Sequence, residues 1–482
     1  MLSLRSCVAT VAFTTVVAAS VAACSSSEPQ TSEPGVVSPS RPVETNPTFT
    51  GTIAWILQDR CQRCHSEGGI APFPLVSYEE VKGLASLAAE KMATREMPPW
   101  GAFDDETCKV NHKWKDDLRA TPEEIEAFAK WVAAGKPYGN EADRPSPKTF
   151  PPSGLPSKTH TIGMKAPHEV MAGGKDDIRC FPVDPGFAED TWVSGTNVAP
   201  GNPRIVHHVI VYSDPNREGV VKAGAAGSYP CFGGPEVSNP NLVLAWAPGV
   251  PPNVLPEDTG LKIAKSSHLI VQVHYHPAQT TQSDQTQFEL RVMQGKPSWV
   301  AQVILAGNAE GPDGIIKLLP GPADPPSGPE FKIPANAPAH TETMEVVVPD
   351  NIGGFPFPQA SLIATGAHMH WAGVDMKIEI ERKTATADQP AKECLLGTPK
   401  YDFNWQRAYA YDAPMEKLPA IGAGDKIRFS CKYDNTTNNR HVRKALAEMQ
   451  QAAPTDISLG EQTLDEMCLG VLVAVRRASL ID

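Results

Sequence analysis

The 482-residue chain has no long apolar stretch beyond its first 23 residues, no run of basic residues and few long helical patterns. Without a long apolar stretch, we expect no later part of the chain to span a bilayer. The formal net charge of −12, with no basic run, argues against nucleic acid as a partner. The 47 prolines and the scarcity of helical periodicity predict mostly β-structure with many loops after residue 150.

The first residues have the pattern of a targeting segment. A positive start is followed by an apolar stretch over residues 8–21, and small residues precede Cys24. This pattern resembles the bacterial lipobox, in which the cysteine is lipidated. The alternative is an ordinary signal peptide that ends near Cys24. We expect a signal peptide over residues 1–23 and a lipidated, disordered tether over residues 24–50, which contain almost no large apolar side chains.

The residue after the lipobox cysteine is Ser25 and not aspartate. By the bacterial sorting rule this favours the outer membrane, so we expect an exported lipoprotein of a Gram-negative bacterium, periplasmic or on the cell surface. Its contact with the membrane would be through the lipid anchor only.

The chain has ten cysteines. Cys7 would leave with the signal peptide, Cys24 would carry lipid, and Cys61 and Cys64 belong to a separate motif. An exported protein meets an oxidising compartment, so disulfides are expected among the other six. These are Cys108, Cys180, Cys231, Cys394, Cys431 and Cys468.

The sequence Cys61-Gln62-Arg63-Cys64-His65 predicts covalent attachment of haem. Two cysteines spaced by two residues can both reach the vinyl groups of one haem, and the adjacent histidine can then ligate the iron. A CxxC pair alone could also be a zinc or redox pair. The histidine that follows it, in an exported protein, favours one c-type haem with His65 as the iron ligand.

A second iron ligand is expected further along the chain. Met97 is the first candidate, because the prolines that follow it favour an extended loop that can lay a thioether across the haem edge. Met92 and His112 are alternatives. Ligation by methionine would raise the haem potential.

Residues 51–142 differ in pattern from the rest. A short helix near residues 53–57 leads into the haem motif, and Thr121, Pro122 and Glu124 predict a capped helix that ends at Gly135. Helix, loop methionine and final helix resemble a small class I cytochrome c. Residues 143–160 are expected to form a linker.

The remaining sequence contains several histidine motifs on predicted strands. His207 and His208 lie at the head of one strand, where neighbouring residues normally point to opposite faces, so both could bind one metal only if the strand is twisted or lies at a sheet margin. His368 and His370 are two residues apart and share a face of a strand. Imidazole suits copper, zinc or iron, and the thioether of Met467 would favour copper in its lower oxidation state.

The order of these motifs resembles the copper type II, ascorbate-dependent monooxygenases, the family of peptidylglycine α-hydroxylating monooxygenase and dopamine β-monooxygenase. That family carries HH, QVHY, HxH and DEMC motifs in this order. Here they are VHHVIVY, QVHYH, GAHMHW and DEMC, and residues 245–249 resemble the family's GWAxG stretch. The resemblance covers about residues 165–475.

The resemblance implies two antiparallel jelly-roll β-sandwich domains, which we place at residues 161–305 and 306–482, with an open solvent cleft between them. The whole chain would then be a small all-α haem domain followed by two all-β domains. One copper, the electron-transfer site, would be held by His207, His208 and His274. The other, the oxygen site where the substrate is attacked, would be held by His368, His370 and Met467. Matching cysteine positions imply the pairs Cys180–Cys231 and Cys431–Cys468, and leave Cys108 and Cys394 without an assigned partner.

The chain also departs from the family. His276 follows His274 by two residues and could compete as a ligand, although the QVHY match favours His274. The peptidylglycine branch clamps the carboxylate of its substrate with Arg, Asn and Tyr side chains, where this chain has Gly366, Leu469 and Val471. Peptidylglycine is therefore not the expected substrate. Trp371 is either a lining residue of the substrate side or a core residue.

The leading hypothesis is a copper-dependent monooxygenase that hydroxylates a C–H bond of a small organic substrate with O2. Its electrons would pass through the fused haem, with ascorbate or another external reductant, or a redox partner protein, as their source. One alternative is a dehydrogenase that passes electrons outward, which would turn over without O2. Another is a non-catalytic copper and haem electron carrier, which would show no substrate-dependent O2 uptake.

Overall fold

The computed structural model describes residues 41–67, 69, 71–148, 154–173, 176–231, 234–246, 250–307, 315–352, 355–356, 359–460 and 465–480. The signal peptide, Cys24, most of the tether and residues 247–249 of the GWAxG-like stretch lie outside these residues. Strands are the most abundant regular structure, with 34% of the residues. The prediction of a mainly β chain is therefore confirmed at this level.

Five α-helices occur in the described part of the chain, three of them before the first strand. Their bounds are α1 Ala54–Arg60, α2 Tyr78–Ala93, α3 Pro122–Ala133, α4 Glu218–Ala223 and α5 Arg440–Glu448. The predicted capped helix is α3: the Thr121 side chain accepts from the Glu124 backbone, and the Glu124 side chain accepts from the Thr121 backbone. Gly135 follows the helix with a positive φ of 81°, as a helix-terminating glycine does.

The strands begin at residue 160 and run to the end of the described chain. The first thirteen are β1 His160–Gly163, β2 His168–Val170, β3 Asp177–Val183, β4 Thr191–Ala199, β5 Val206–Asp214, β6 Tyr229–Pro230, β7 Asn241–Trp246, β8 Asn253–Val254, β9 Thr259–Ile263, β10 His268–Tyr275, β11 Gln282–Asp284, β12 Gln287–Val292 and β13 Trp299–Gly307. The others are β14 Ile316–Leu318, β15 Lys332–Ile333, β16 His340–Val347, β17 Asn351–Ile352, β18 Phe355–Pro356, β19 Ala360–His368, β20 Gly373–Glu381, β21 Lys392–Gly397, β22 Ala408–Ala410, β23 Ala420–Ile421, β24 Lys426–Tyr433, β25 Ile457–Ser458 and β26 Leu469–Arg477. His207 and His208 lie on β5 and His274 lies on β10, as predicted, but β19 ends at His368. His370 lies beyond the strand, so the prediction that His368 and His370 share a strand face is wrong.

The chain forms three large sheets, two of which carry these motifs. One five-stranded sheet has the order β6-β3-β10-β5-β7, and another has the order β14-β16-β24-β20-β21. A ten-stranded sheet runs β1-β12-β4-β9-β13-β26-β19-β22, with β8 and β23 at its sides. This sheet is continuous across the proposed division between residues 305 and 306, which falls inside β13. Strand β13 pairs with β26 along its whole length and, in parallel, with three residues of β9.

Two hydrophobic cores divide the N-terminal segment. The helices α1, α2 and α3 pack around Phe49, Phe128 and Trp131, all fully buried. Trp100 and Trp114, by contrast, belong to the core of the β-sheets. The loop between α2 and α3 thus packs on the sheets and leaves the helical core.

A disulfide attaches this loop to the sheet. Cys108 is bonded to Cys394 in β21, so the two cysteines that the sequence left without a partner pair with each other across 286 residues. An isolated bridge joins Val110 to Cys394, and another joins Trp114 to Tyr411. None of the helices described in the chain is long and apolar enough to cross a membrane.

Candidate metal centres

A β-bulge explains how two adjacent histidines can face one point. On β5, His208 lies opposite His274 of β10, but the next residue of β10, Tyr275, lies opposite Val206. His207 is the extra residue. A bulge sets two residues against one and turns the strand locally, so the usual alternation of side chains is broken at this position. The bulge therefore supplies the local twist that both histidines of the HH doublet need in order to bind one metal ion.

The three histidines form one cluster. His207, His208 and His274 each offer a ring nitrogen, and these nitrogens lie within 4.8 Å of one another. The Nδ1 atoms of His208 and His274 are 3.3 Å apart. Two nitrogen ligands at about 2.0–2.1 Å from one tetrahedral ion are also about 3.3 Å apart. The three ring nitrogens therefore have a spacing that fits a shared metal ion, and Nδ1 of His207 is buried without a hydrogen-bond partner.

Asp176 holds the third histidine of this cluster. One oxygen of its carboxylate accepts from Nε2 of His274 at 3.0 Å, and the other accepts from Nδ1 of His276 at 2.9 Å. The contact fixes the His274 tautomer and leaves Nδ1 free for a metal. His276 is thus engaged by the same carboxylate and is not part of the three-histidine cluster. No motif in the sequence pointed to Asp176.

We expect Asp176→Asn to lower the copper affinity of the three-histidine cluster about 10- to 100-fold, because it removes the charge that orients His274. Copper titration against a competing chelator measures this change. His276→Ala is the matched control, since it removes the other partner of the same carboxylate. A larger loss in His276→Ala than in Asp176→Asn would make His276 the ligand.

Burial keeps the imidazoles of His207 and His208 neutral. Burial, and next the charge of His274, lower the pKa of His207 to about 3. Burial likewise lowers the pKa of His208 well below its ordinary value. Neutral imidazole is the form that binds metal, so these two ligands need not lose a proton before a metal ion binds.

The copper-free protein should therefore lose stability as the pH falls below about 6.5, the ordinary histidine pKa. Between that pH and about 3 the unfolded chain binds a proton at His207 that the folded chain does not, which favours unfolding. Above pH 6.5 both states are neutral and the effect vanishes. In His207→Phe the dependence of unfolding free energy on pH should be shallower by up to one proton, about 1.4 kcal/mol per pH unit. Equal slopes in denaturant unfolding of both proteins would contradict this.

The second set of predicted ligands lies where two antiparallel strands end together. His368 is the last residue of β19 and pairs with Leu469, the first residue of β26. His370 follows β19 by two residues and Met467 precedes β26 by two, so the register brings them to the same place. The rings of His368 and His370 are 5.4 Å apart and perpendicular, and the Met467 side chain is buried. We call these three residues the His–Met cluster.

Hydrogen bonds set the free nitrogen of both histidines in the His–Met cluster. Nδ1 of His368 contacts Oε1 of Gln406 at 2.5 Å, and Nδ1 of His370 contacts the carbonyl oxygen of Asp465 at 2.9 Å. Both acceptors require an N–H at Nδ1, which leaves Nε2 of each ring available for a metal. Burial lowers the pKa of His368, and burial together with His368 lowers that of His370 to about 3.

Glu466, in the DEMC motif, ties the two halves of this cluster together. It is 1% exposed, and its carboxylate accepts from the backbone N–H groups of His370 at 2.8 Å, Ala372 at 2.7 Å and Met467 at 3.2 Å. Burial raises its pKa to about 8 although these donors oppose the rise. The sequence motif contained this residue, but its role appears only in three dimensions.

We expect Glu466→Gln to weaken copper binding at the His–Met cluster by about 10- to 100-fold, because an amide NH2 would face one of the backbone donors and displace His370 or Met467. The unpaired group should also cost about 1–3 kcal/mol of stability. Metal content and denaturant unfolding measure the two effects. Glu342→Gln is the control: Glu342 is equally buried but contacts His340. If copper content is unchanged in Glu466→Gln, the positioning role is wrong.

One aromatic ring contacts both clusters. Phe403 stacks on His207 with ring centroids 5.1 Å apart, and its ring lies 6.3 Å from that of His370. The separation of those two histidine rings therefore cannot exceed the sum of these distances. The clusters also influence each other electrically: His368 lowers the pKa of His207, and His274 lowers that of His370. The two candidate metal centres are neighbours.

The haem motif has the chemistry that covalent attachment needs. Cys61 and Cys64 are free thiols, whereas every other described cysteine is in a disulfide, including both pairs that the resemblance implied. Burial raises the pKa of Cys61 to about 12, unlike the thiolate of a reactive redox pair. Nδ1 of His65 contacts the carbonyl oxygen of Phe73 at 3.0 Å, which leaves Nε2 for iron. The residues present fit a haem c.

The candidates for the second iron ligand lie in different surroundings. Met97 is partly buried in the loop after α2, where its N–H donates to the carbonyl of Lys91 at 3.0 Å. Met92 is 2% exposed and belongs to the helical core. His112 lies 3.5 Å from Glu393, beside β21, and its ring packs on Tyr411. These contacts engage the two alternatives elsewhere and leave Met97 as the first candidate.

Gly366, which stands where the family has its clamp arginine, leaves little room for a larger side chain. A side chain at Gly366 would meet the backbone of Arg407 and Ala408 and the side chain of Val471. Trp371 is 8% exposed and packs on Phe403, so it is a core residue next to the clusters.

Within the described residues, the three-histidine cluster is the one group of three or more His, Cys, Asp or Glu side chains with metal-binding spacing. A scan of protein-family models finds none that matches the chain, and a search of curated proteins finds no significant relative. Any assignment of function therefore depends on the ordered motifs and on this geometry.

Proposed function

We propose that the protein is a copper-dependent monooxygenase, similar to the peptidylglycine and dopamine β-monooxygenases, whose fused c-type haem delivers electrons to the copper pair. The observation that carries this proposal is the adjacency of the two clusters, both next to Phe403, with hydrogen bonds that orient His274 in one and His368 and His370 in the other. Jelly-roll sandwiches for the β-regions and a cytochrome c fold for the helices belong to the same proposal.

The donor sets favour different tasks for the two centres. Three neutral imidazoles in the first cluster suit simple one-electron cycling, and the soft sulfur of Met467 in the second favours reduced copper with a position open to O2. Hydroxylation inserts one oxygen atom of O2 into the C–H bond and releases the other as water. It therefore consumes two electrons and two protons, which an external reductant must supply.

The attachment of the haem segment to the sheets supports an electron supply through the haem. The Cys108–Cys394 disulfide anchors the loop after α2 on β21. Trp114 from this loop stacks on Tyr411 with ring centroids 5.2 Å apart, and the Tyr411 hydroxyl lies 3.3 Å from Thr365 in β19. Strand β19 ends at His368, so packed groups lead from the haem segment toward the His–Met cluster.

Flash reduction of the haem tests this proposal. One electron is introduced at the haem of anaerobic protein loaded with oxidised copper, and reoxidation of the haem is followed by absorbance. We expect a fast phase whose rate does not depend on protein concentration, and its loss in copper-free protein and in His207→Ala. Haem that is reoxidised equally slowly with and without copper would defeat the proposal. Substrate turnover without O2 would favour electron flow in the outward direction.

A further inference from the structure

A cavity of about 370 Å³ lies between the haem segment and the second half of the β-region. The loop after α2 forms one wall and the segment before β22 forms the other. The residues that line the cavity include Arg95, Trp100, Ala367, Gln406, Arg407 and Arg440. Ala367 directly precedes His368 in sequence, and Gln406 contacts its Nδ1, so the cavity adjoins the His–Met cluster.

Two buried hydrogen-bond donors, one from each wall of the cavity, have no acceptor. Nε1 of Trp100 and Nε of Arg407 are both buried without a hydrogen-bond partner. They belong to one structure, because the Arg407 guanidinium lies 4.5 Å from the centre of the Trp100 ring. Buried polar groups are almost always paired, by protein, water or ligand. Both groups are donors and neither can accept a hydrogen bond from the other, so each needs an acceptor that the surrounding side chains do not supply.

The charge around the cavity favours a negative acceptor. Glu96 and Asp402 line the cavity too, but both carboxylates are engaged by Arg440, at 2.9 Å for Glu96 and at still closer range for Asp402. Nε of Arg407 is buried, and desolvation lowers the pKa of its guanidinium. An anion beside its guanidinium would offset that cost, and a carboxylate is the planar group that an arginine fork binds best.

We propose that this cavity binds a carboxylate group through Trp100 Nε1–H and the Arg407 guanidinium. Its place beside His368 fits the carboxylate of a small organic substrate, a role that rests on the proposed function, whereas the binding itself does not. The same chemistry is carried by a haem propionate. That source is near as well, since Arg407 and Cys64 of the haem motif influence each other electrostatically.

Calorimetric titration of the full chain, with haem and copper bound, tests the site with benzoate as probe and benzamide as its uncharged analogue. We expect benzoate to bind at least tenfold more tightly than benzamide, and Arg407→Gln to weaken benzoate at least tenfold. Arg440→Gln is the matched control, because it removes a second lining arginine whose guanidinium is already engaged. Trp100→Phe keeps the ring and removes the donor, and it should weaken benzoate even if Arg407→Gln fails to fold.

A haem-free variant, Cys61→Ala with Cys64→Ala, separates the two sources. Equal binding of benzoate with and without haem supports a free substrate carboxylate. Binding only without haem supports a propionate, and Arg407→Gln should then shift the haem potential in the loaded protein while Arg440→Gln does not. No binding in either form, or equal losses in Arg407→Gln and Arg440→Gln, would overturn the site. The titration is repeated with copper-free protein. Benzoate binding that persists there supports the carboxylate site even if the protein is not a monooxygenase.

Discussion

Met467→Ile is expected to abolish hydroxylation while leaving copper in the three-histidine cluster. The thioether is the one soft donor of the His–Met cluster, and isoleucine fills the buried space without replacing it. Loss of a metal ligand should weaken copper binding by more than the roughly 100-fold that follows when a hydrogen-bond partner of a ligand is removed. Product formation and copper content are measured on the same preparation.

Met369→Leu is the control for this substitution. Met369 lies between His368 and His370 in sequence, but it is fully buried in the β core and its sulfur packs near Gly373. Leucine there should preserve both coppers and most of the activity. Product formation that survives in Met467→Ile, or is lost in Met369→Leu alone, would mean that the oxygen site is assigned to the wrong thioether.

Removal of the Cys108–Cys394 disulfide is expected to uncouple the haem from copper. In Cys108→Ser with Cys394→Ser the loop after α2 would be held on the sheets only by non-covalent contacts such as the Trp114–Tyr411 stack. Transfer of an electron from haem to copper should slow severalfold, because the distance between the donor and the sheet would no longer be fixed.

Turnover with a small reductant that reaches copper directly is the internal control for this variant. It should be unchanged, since both metal clusters lie away from the disulfide in sequence and on other strands. Haem and copper contents should be unchanged as well. If both kinds of turnover fall together, the disulfide stabilises the fold and has no particular role in electron supply.

Elements of the fold could be predicted from sequence where a short run of residues determines the local structure. The capping box at Thr121 and Glu124 gave the start of α3, and apolar alternation gave β5, β10 and β20. Both disulfides implied by the family resemblance are present. These features depend on residues close in sequence or on a motif whose order is preserved.

Features that depend on distant partners were missed. A bulge at His207 is a property of strand pairing, so the HH doublet alone could not reveal it. Cys108 and Cys394 are 286 residues apart, and no local pattern pairs them. Asp176 and Phe403 reach the clusters through tertiary packing. Glu466 belongs to the DEMC motif, but its contact with the backbone of His370 also depends on tertiary packing.

The most direct test of the central claim is the metal content of the mature protein, produced in a periplasm that attaches haem. Copper and haem per chain are measured in the wild type, in His207→Ala and in His368→Ala. We predict two coppers and one haem in the wild type, with each variant losing a different copper and keeping the haem. A protein without copper, or with one copper that is indifferent to His368→Ala, would contradict the account and leave a haem electron carrier on a β scaffold.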